Sequence, residues 1–89
     1  MKVIIEVRLT ERAEKSYTKL PLHVKKKAKR QFKRLIDIPK YPSLRVKKKQ
    51  GENIFEARVD YHYRFTFIVE EKTLWILSIG PHDEGLGKK

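Results

Sequence analysis

Three consecutive segments in the second half of the chain alternate apolar and polar residues with a period of two. They cover residues 54–59, 63–69 and 73–79, and two three-residue connections, Asp60-Tyr61-His62 and Glu70-Glu71-Lys72, separate them. Such alternation is typical of strands with one buried face, and connections this short favour antiparallel hairpins. The apolar residues stand at odd positions: Phe55, Ala57, Val59, Tyr63, Phe65, Phe67, Val69, Trp75, Leu77 and Ile79. We therefore predict a three-stranded antiparallel meander that buries its odd-numbered face.

The pairing register follows from this burial. One face stays buried only if odd residues lie opposite odd residues, which requires connections of about three residues in both hairpins. The first hairpin then pairs Ala57 with Phe65, and the second pairs Phe65 with Leu77. On the other face, Arg58 lies opposite Arg64, and Arg64 lies opposite Ser78.

A strand and two helices precede the meander. Residues 1–9 alternate as a half-buried strand does, Thr10 can cap a first helix, and Pro21 starts a second helix that Pro39 ends. The second helix carries an apolar stripe: Val24, Ala28, Phe32, Leu35 and Ile36. Residues 43–51 form an irregular or edge segment. The predicted fold class is α+β, with a four-stranded sheet and both helices packed on one face.

Length and composition restrict the chain further. With 89 residues it has room for one domain, covering residues 1–89, and one modest core. It contains no cysteine, which excludes disulfides and thiolate chemistry and is typical of a reducing cytoplasm. The sequence shows neither a signal-peptide core nor an apolar run of the roughly 18 residues that a membrane span needs. We expect a soluble, cytoplasmic protein.

The net charge of +11 indicates an anionic partner, because self-repulsion of this size costs stability unless a polyanion offsets it. The positive charge is clustered, since no acidic residue lies between Glu14 and Asp37 or between Asp37 and Glu52. A surface that is basic only for solubility would mix the two signs. The residues that we expect to contact RNA phosphates are Lys26, Lys27, Arg30, Lys33, Arg34, Arg45, Lys48 and Lys49.

The predicted register places a candidate catalytic row on the open face of the meander. Facing arginines repel each other, so a purely structural sheet would avoid the pair of Arg58 and Arg64, whereas a bound phosphate would stabilise it. Gly80-Pro81 returns the chain toward this row and brings His82 beside it. The two arginines can hold a scissile phosphate and stabilise a pentacovalent transition state, while His82 protonates the leaving 5′-oxygen.

This chemistry requires no metal and no cofactor. Lys47 and Lys49 are candidate general bases if neighbouring charges lower the pKa of either amine, and Glu56 and Asp83 are the carboxylate alternatives. The sequence has no glycine-rich phosphate loop, no HExxH motif and no carboxylate cluster with metal-ligand spacing. Its histidines, at positions 23, 62 and 82, are too scattered to predict a metal site.

Three strings resemble the RelE/ParE superfamily of bacterial and archaeal type II toxins: LTERAEKSYTKLP, YPSLRVKKKQGENIFEARVDYHYRFTFIVE and LSIGPHD. The resemblance extends over nearly the whole chain, and the last two strings are similar to those of RelE-type ribosome-dependent endoribonucleases. It implies cleavage of messenger RNA in the ribosomal A site. It also implies an acidic cognate antitoxin that wraps the toxin, which would be monomeric when free and part of a larger complex when bound.

The resemblance also assigns residues. Arg58 matches a basic position on the family's second strand, Arg64 matches an arginine that follows a tyrosine on its third strand, and His82 matches the residue after its last strand. Lys47 and Lys49 match the basic approach to the second strand. The chain departs from the lysine-rich RelE branch by carrying Glu56, and it has no matching tyrosine near its carboxyl end, which leaves the general base open.

Two other functions fit parts of the sequence. The ParE branch has the same fold and poisons DNA gyrase, but its members usually lack a histidine after the last strand, so His82 favours RNA cleavage. A non-catalytic basic module that only binds RNA would use Arg58 and Arg64 equally well.

Overall fold

The chain forms an α+β fold in which two helices pack on one face of a mixed β-sheet. The computed structural model describes residue 4 and residues 6–38, 40–49, 51 and 53–81. In chain order the elements are β1 (Glu6–Leu9), α1 (Glu11–Thr18), α2 (Leu22–Asp37), a 3-10 turn (Pro42–Leu44), β2 (Lys47–Lys48), β3 (Phe55–Arg58), β4 (Tyr63–Glu70) and β5 (Thr73–Pro81). Among the described residues, no helix is long and apolar enough to cross a membrane.

The helices begin where the sequence predicts. The Thr10 hydroxyl accepts a hydrogen bond from the amide of Ala13 at 3.1 Å, which caps α1, and it donates to the carbonyl of Leu77 at 3.1 Å. Pro21 directly precedes α2. The predicted stripe on α2 is buried, except that Ile36 is only partly covered. One polar residue, Gln31, is buried with the stripe.

Among the described residues, the sheet has five strands in the order β1-β5-β4-β3-β2, one more than predicted. β1 runs parallel to β5, and the other neighbouring pairs are antiparallel. The additional strand is β2, which occupies the outer edge beside β3 and lies within the segment expected to be irregular or an edge. Two residues are too few for an alternating pattern to identify, so the sequence could not distinguish an edge strand from a loop.

The register predicted for the first hairpin is confirmed. Ala57 pairs with Phe65, Arg58 pairs with Arg64, and the amide of Val59 donates to the carbonyl of Tyr63 at 2.9 Å. The odd-numbered face of this hairpin enters the core, where the ring of Phe65 meets that of Phe32 edge to face at 5.0 Å. This contact joins the middle of the sheet to α2.

The register predicted for the second hairpin is wrong. Glu70 pairs with Thr73, so the connection has two residues, Glu71 and Lys72, and not three. Glu71 adopts a left-handed backbone with φ of 58°. A two-residue connection places odd residues of β4 opposite even residues of β5, and Leu74 and Ile76 are consequently buried in place of Trp75 and Leu77.

A β-bulge then restores the odd pairing further along. Thr66 pairs with Ser78 and Phe67 with Ile76, which leaves Leu77 as the extra residue of β5. Beyond the bulge Phe65 pairs with Ile79, and Arg64 pairs with Gly80 and not with Ser78. The bulge therefore shifts the end of β5 by one residue relative to the arginine row.

Candidate nucleic-acid interface

Arg58 and Arg64 form a cross-strand pair on the sheet face that points away from the helices. Their neighbours Ala57 and Phe65 are buried against the core, and side chains alternate between the two faces along a strand. The amide of Val59 donates to the carbonyl of its partner Tyr63, so the next pair, Arg58 and Arg64, is a non-hydrogen-bonded pair, in which side chains lie closer together. The sheet thus holds two cations side by side, as predicted.

Glu56 moderates this repulsion. Its Oε2 lies 3.6 Å from the Nε of Arg64, and the side chains are only 12% and 13% exposed, respectively. On its other flank, Glu56 pairs in register with Lys47 of β2. The carboxylate therefore sits between two cations on neighbouring strands.

Four of the predicted basic residues line one groove at the outer edge of the sheet. We call it the strand groove; it has a volume of about 570 Å³ and is lined by Pro42, Arg45, Val46, Lys47, Arg58 and Arg64. Arg45 ends the 3-10 turn in a left-handed conformation with φ of 47°. That conformation costs a non-glycine residue roughly 1–2 kcal/mol.

Gln31 anchors Arg58 from beneath. β2 begins only at Lys47, which lies opposite Glu56, so the carbonyl of Arg58 points past the end of the edge strand. The Nε2 of Gln31 donates to that carbonyl at 2.9 Å and to the carbonyl of Ser43 at 3.5 Å. The predicted stripe on α2 did not include Gln31, because glutamine is polar. Its spacing of three from Ala28 and four from Leu35 nevertheless places it on the buried side of the helix.

The guanidinium of Arg58 retains an unmet donor. Its Nε is buried, and no acceptor among the described residues reaches it. A buried cationic donor without an acceptor is costly, and an anion held by the same guanidinium would lower that cost. This residue also borders a second groove.

The second groove, here the helix groove, runs between α2 and the turn that joins β3 to β4. It has a volume of about 600 Å³, and its basic walls are Lys27, Arg30, Arg34, Arg45 and Arg58. Arg34 donates to the Oε1 of Gln31 at 3.1 Å, and its guanidinium lies 4.4 Å from the ring centroid of Tyr41. Arg45 and Arg58 line both grooves, which therefore adjoin each other.

The other predicted RNA contacts lie outside these two grooves. Lys26 and Lys33 project from the exposed side of α2, where Lys33 pairs with Asp37 at 3.2 Å. Lys48 is exposed on β2, and neither it nor the adjacent Lys49 lines the grooves that the described residues form.

Asp60 supplies the negative charge of the helix groove. Its Oδ1 accepts hydrogen bonds from the amides of His62 and Tyr63 at 2.8 and 3.0 Å, and its Oδ2 lies 3.4 Å from the Nζ of Lys27. Burial acts to raise the pKa of Asp60, but the two amides and the ammonium together outweigh it, so the pKa lies below its ordinary value. The carboxylate thereby fixes the turn.

Two predicted catalytic groups, His82 and Asp83, lie outside the described residues. The described part of β5 ends with Gly80 opposite Arg64 and Pro81 opposite Tyr63. Within the part of the chain that the structure describes, no three histidine, aspartate or glutamate side chains converge as metal ligands.

Solved structures share this architecture. A chain of the archaeal RelE–RelB complex from Pyrococcus horikoshii OT3 superposes with a TM-score of 0.74 at 21% identity, over 90% of this chain and 97% of that chain. A chain of the Escherichia coli DinJ–YafQ toxin–antitoxin complex gives 0.74 at 18% identity, over 91% and 96%. The YoeB/ParE toxin from Agrobacterium tumefaciens gives 0.75 at 13% identity, over 88% and 99%.

The chain has the fold of the RelE/ParE toxins. No family model and no curated protein matches the sequence. The superpositions thus confirm the fold that the sequence resemblance implied. Within this RelE-like fold, the strand groove opens beside the short edge strand β2, and the helix groove opens between the hairpin and α2.

Proposed function

We propose that this protein is the toxin of a type II toxin–antitoxin system and acts as a ribosome-dependent endoribonuclease that cleaves messenger RNA in the A site. The observation that carries the proposal is the convergence of Arg45, Lys47, Arg58 and Arg64 in the strand groove. The fold that carries these four residues is shared with proteins described as RelE, YafQ and YoeB/ParE toxins.

The groove suits metal-independent cleavage of an RNA backbone. Arg58 and Arg64 hold the two non-bridging oxygens of the scissile phosphate, and the 2′-hydroxyl attacks the phosphorus in line. As the bond to the 5′-oxygen breaks, the arginines stabilise the charge on the pentacovalent transition state, and His82 donates a proton to the leaving oxygen. Gly80 lies opposite Arg64, and His82 follows it by two residues. Two residues span about 7 Å at most, so the sequence keeps His82 close to the arginine row.

Lys47 is our first candidate for the general base. It lines the strand groove together with Arg58 and Arg64, the two residues that hold the scissile phosphate. Lys26, Lys33, Lys48 and Lys49, which lie outside the grooves, contribute to docking on ribosomal RNA through long-range attraction.

A cognate antitoxin is the second partner that we propose. Solved neighbours of this fold occur in the RelE–RelB and DinJ–YafQ complexes, the latter described as a toxin–antitoxin complex. An acidic antitoxin segment would neutralise the two basic grooves of this chain and block access of RNA to them.

The decisive experiment compares variants in translating cells. Expression of the wild-type chain should arrest growth and produce new messenger RNA ends at ribosomal A sites. Arg58→Ala, Arg64→Ala and His82→Ala should each lower cleavage by about a hundredfold or more, because each removes a group that contacts the transition state. Arg8→Ala is the matched control, since Arg8 lies on β1 at the far edge of the sheet and is 60% exposed.

The same strains separate the alternatives. A ParE-type toxin would be identified by two results together. Growth arrest would persist in all three variants, and the purified protein would inhibit DNA supercoiling by gyrase. RNA binding with neither arrest nor cleavage would identify a non-catalytic basic module. Either result overturns the proposed endoribonuclease.

A further inference from the structure

The helix groove contains an aromatic side chain that is open to solvent. Tyr61 stands in the turn between β3 and β4, is 77% exposed, and lines the groove together with Lys27 and Arg30. Its ring meets that of His62 edge on, with centroids 4.9 Å apart. Because Asp60 holds the amides that follow Tyr61, the turn presents this ring from a fixed backbone.

The cations around Tyr61 divide into occupied and available groups. Lys27 is paired with Asp60, and Arg34 is engaged by Gln31 and Tyr41. The side chains of Arg30 and Arg45, in contrast, form neither a hydrogen bond nor an ion pair with any residue in the described ranges. The groove therefore offers an exposed aromatic ring and two uncommitted guanidinium groups.

We propose that Tyr61, Arg30 and Arg45 form a second nucleotide subsite for single-stranded RNA, adjoining the phosphate site at Arg58 and Arg64. The inference rests on the proposed function and extends it from one scissile phosphate to a path along the strand. Tyr61 stacks on a nucleobase, and the two arginines bind the backbone that links this nucleotide to the one in the strand groove.

Two features favour RNA over an acidic protein segment. Acidic side chains would satisfy the arginines but would leave the aromatic ring of Tyr61 exposed, whereas every nucleobase has a face that can stack on it. The helix groove also adjoins the strand groove at Arg45 and Arg58, so one strand of RNA can contact both grooves.

Direct binding tests the subsite without any catalytic step. The probe is a fluorescent hexauridylate with 2′-O-methyl groups, which removes the attacking hydroxyl, and the readout is fluorescence anisotropy. Tyr61→Ala should weaken binding by about tenfold, and Tyr61→Phe should retain it, because stacking needs the ring and not the hydroxyl. Leu22→Ala is the control for loss of an exposed apolar side chain, since Leu22 is 67% exposed and lies outside the groove.

A salt titration tests the phosphate contact separately. For single strands, each neutralised phosphate contributes about 0.7 to the slope of log affinity against log salt concentration. Arg30→Ala should lower the slope by about this amount, whereas Lys29→Ala, one position away on the same helix and outside the groove, should leave it nearly unchanged.

The outcomes separate this proposal from the proposed function. If Tyr61→Ala binds as the wild type does and Arg30→Ala has the slope of Lys29→Ala, the subsite is refuted, while A-site cleavage that depends on Arg58 would still support the endoribonuclease. If the Tyr61 and Arg30 effects appear but the wild-type chain cleaves no messenger RNA, the subsite stands and the endoribonuclease fails.

Discussion

Gln31 gives the sharpest test of how the fold supports the basic grooves. It is the one fully buried polar side chain on α2 among the described residues, and it donates to the carbonyl of Arg58 where β2 no longer supplies a strand partner. Replacing it by leucine keeps the size of the side chain and removes both this donor and the Oε1 that accepts from Arg34. We expect Gln31→Leu to lower both the stability of the protein and its affinity for RNA.

Gln31 donates to the carbonyls of Ser43 and Arg58 and accepts from Arg34, and the two donated hydrogen bonds set the magnitude because Arg34, in the wall of the helix groove, can bind water instead. The contact with Ser43, at 3.5 Å, lies at the limit of a hydrogen bond and contributes little, whereas the contact with Arg58 at 2.9 Å is close to ideal. A buried carbonyl left without a donor costs about 1–3 kcal/mol, and the added apolar surface of leucine offsets part of this. We expect a net loss of about 1–2 kcal/mol in the free energy of unfolding, or roughly 4–16 °C in Tm for a domain of this size.

Urea denaturation followed by tryptophan fluorescence measures the first quantity, and the hexauridylate assay measures the second. Ala28→Gly is the matched control. Glycine in a helix interior costs about 1 kcal/mol in stability, and the methyl group of Ala28 forms no hydrogen bond with Arg58. The variant Gln31→Leu should weaken RNA binding, and Ala28→Gly should not. The reasoning fails if Gln31→Leu unfolds within 0.5 kcal/mol of the wild type, a change of about the size seen for neutral surface substitutions.

Three further predictions concern local structure. The lowered pKa of Asp60 means that its stabilising effect is complete above the ordinary value of 3.8 and is lost as the pH falls through the folded-state pKa, so the stability difference between wild type and Asp60→Asn should shrink below pH 3.8. Thr10→Ala should cost about 1 kcal/mol in urea denaturation and Thr10→Ser much less, because serine keeps the hydroxyl that caps α1. Glu71→Val should be less stable than Glu71→Gly by about 1 kcal/mol or more, since φ is 58° there.

Most of the fold could be predicted because each local signal agreed with burial. The first hairpin illustrates this: Phe55, Ala57, Phe65 and Phe67 all needed the core, and an odd-to-odd register with a three-residue connection buries all of them. The cap at Thr10 and the stripe on α2 were equally unambiguous.

The second hairpin could not be predicted in the same way. Residues 74–77 are all apolar, so both faces of β5 fit a core and the pattern does not select a register. Two physical features decide it instead, namely the left-handed Glu71 in a two-residue connection and the bulge at Leu77. Neither leaves a sequence signature, because glutamate is not a residue that favours φ near 58°.

The candidate site also contains residues whose positions could be predicted and residues whose positions could not. Register alone brought Arg58 and Arg64 together, and helical spacing placed Lys27, Arg30 and Arg34 on one side of α2. The positions of Arg45 and Lys47 depend on the 3-10 turn and the two-residue strand that follow α2, which are contacts between irregular segments. Charge count could predict a basic surface, but not which of its residues share a groove.

Glu56 provides a final test, because it was an open candidate for the general base. Its carboxylate lies 3.6 Å from Arg64, and both side chains are largely buried, which favours a role in positioning that arginine. Glu56→Gln keeps the shape and removes one negative charge beside the strand groove. We expect a loss of about 1–3 kcal/mol in unfolding free energy, because a nearly buried charge pair loses one partner.

The function of the variant then decides between the two roles. Removing a negative charge beside the arginine that holds the phosphate should strengthen RNA binding by a few-fold at low salt. If Glu56 only positions Arg64, A-site cleavage should fall by less than about tenfold and its pH profile should keep its shape, because no proton-transfer group has been lost. A drop of about a hundredfold or more, with loss of the acidic limb of the pH profile and no loss of RNA affinity, would make Glu56 the general base and would remove that role from Lys47.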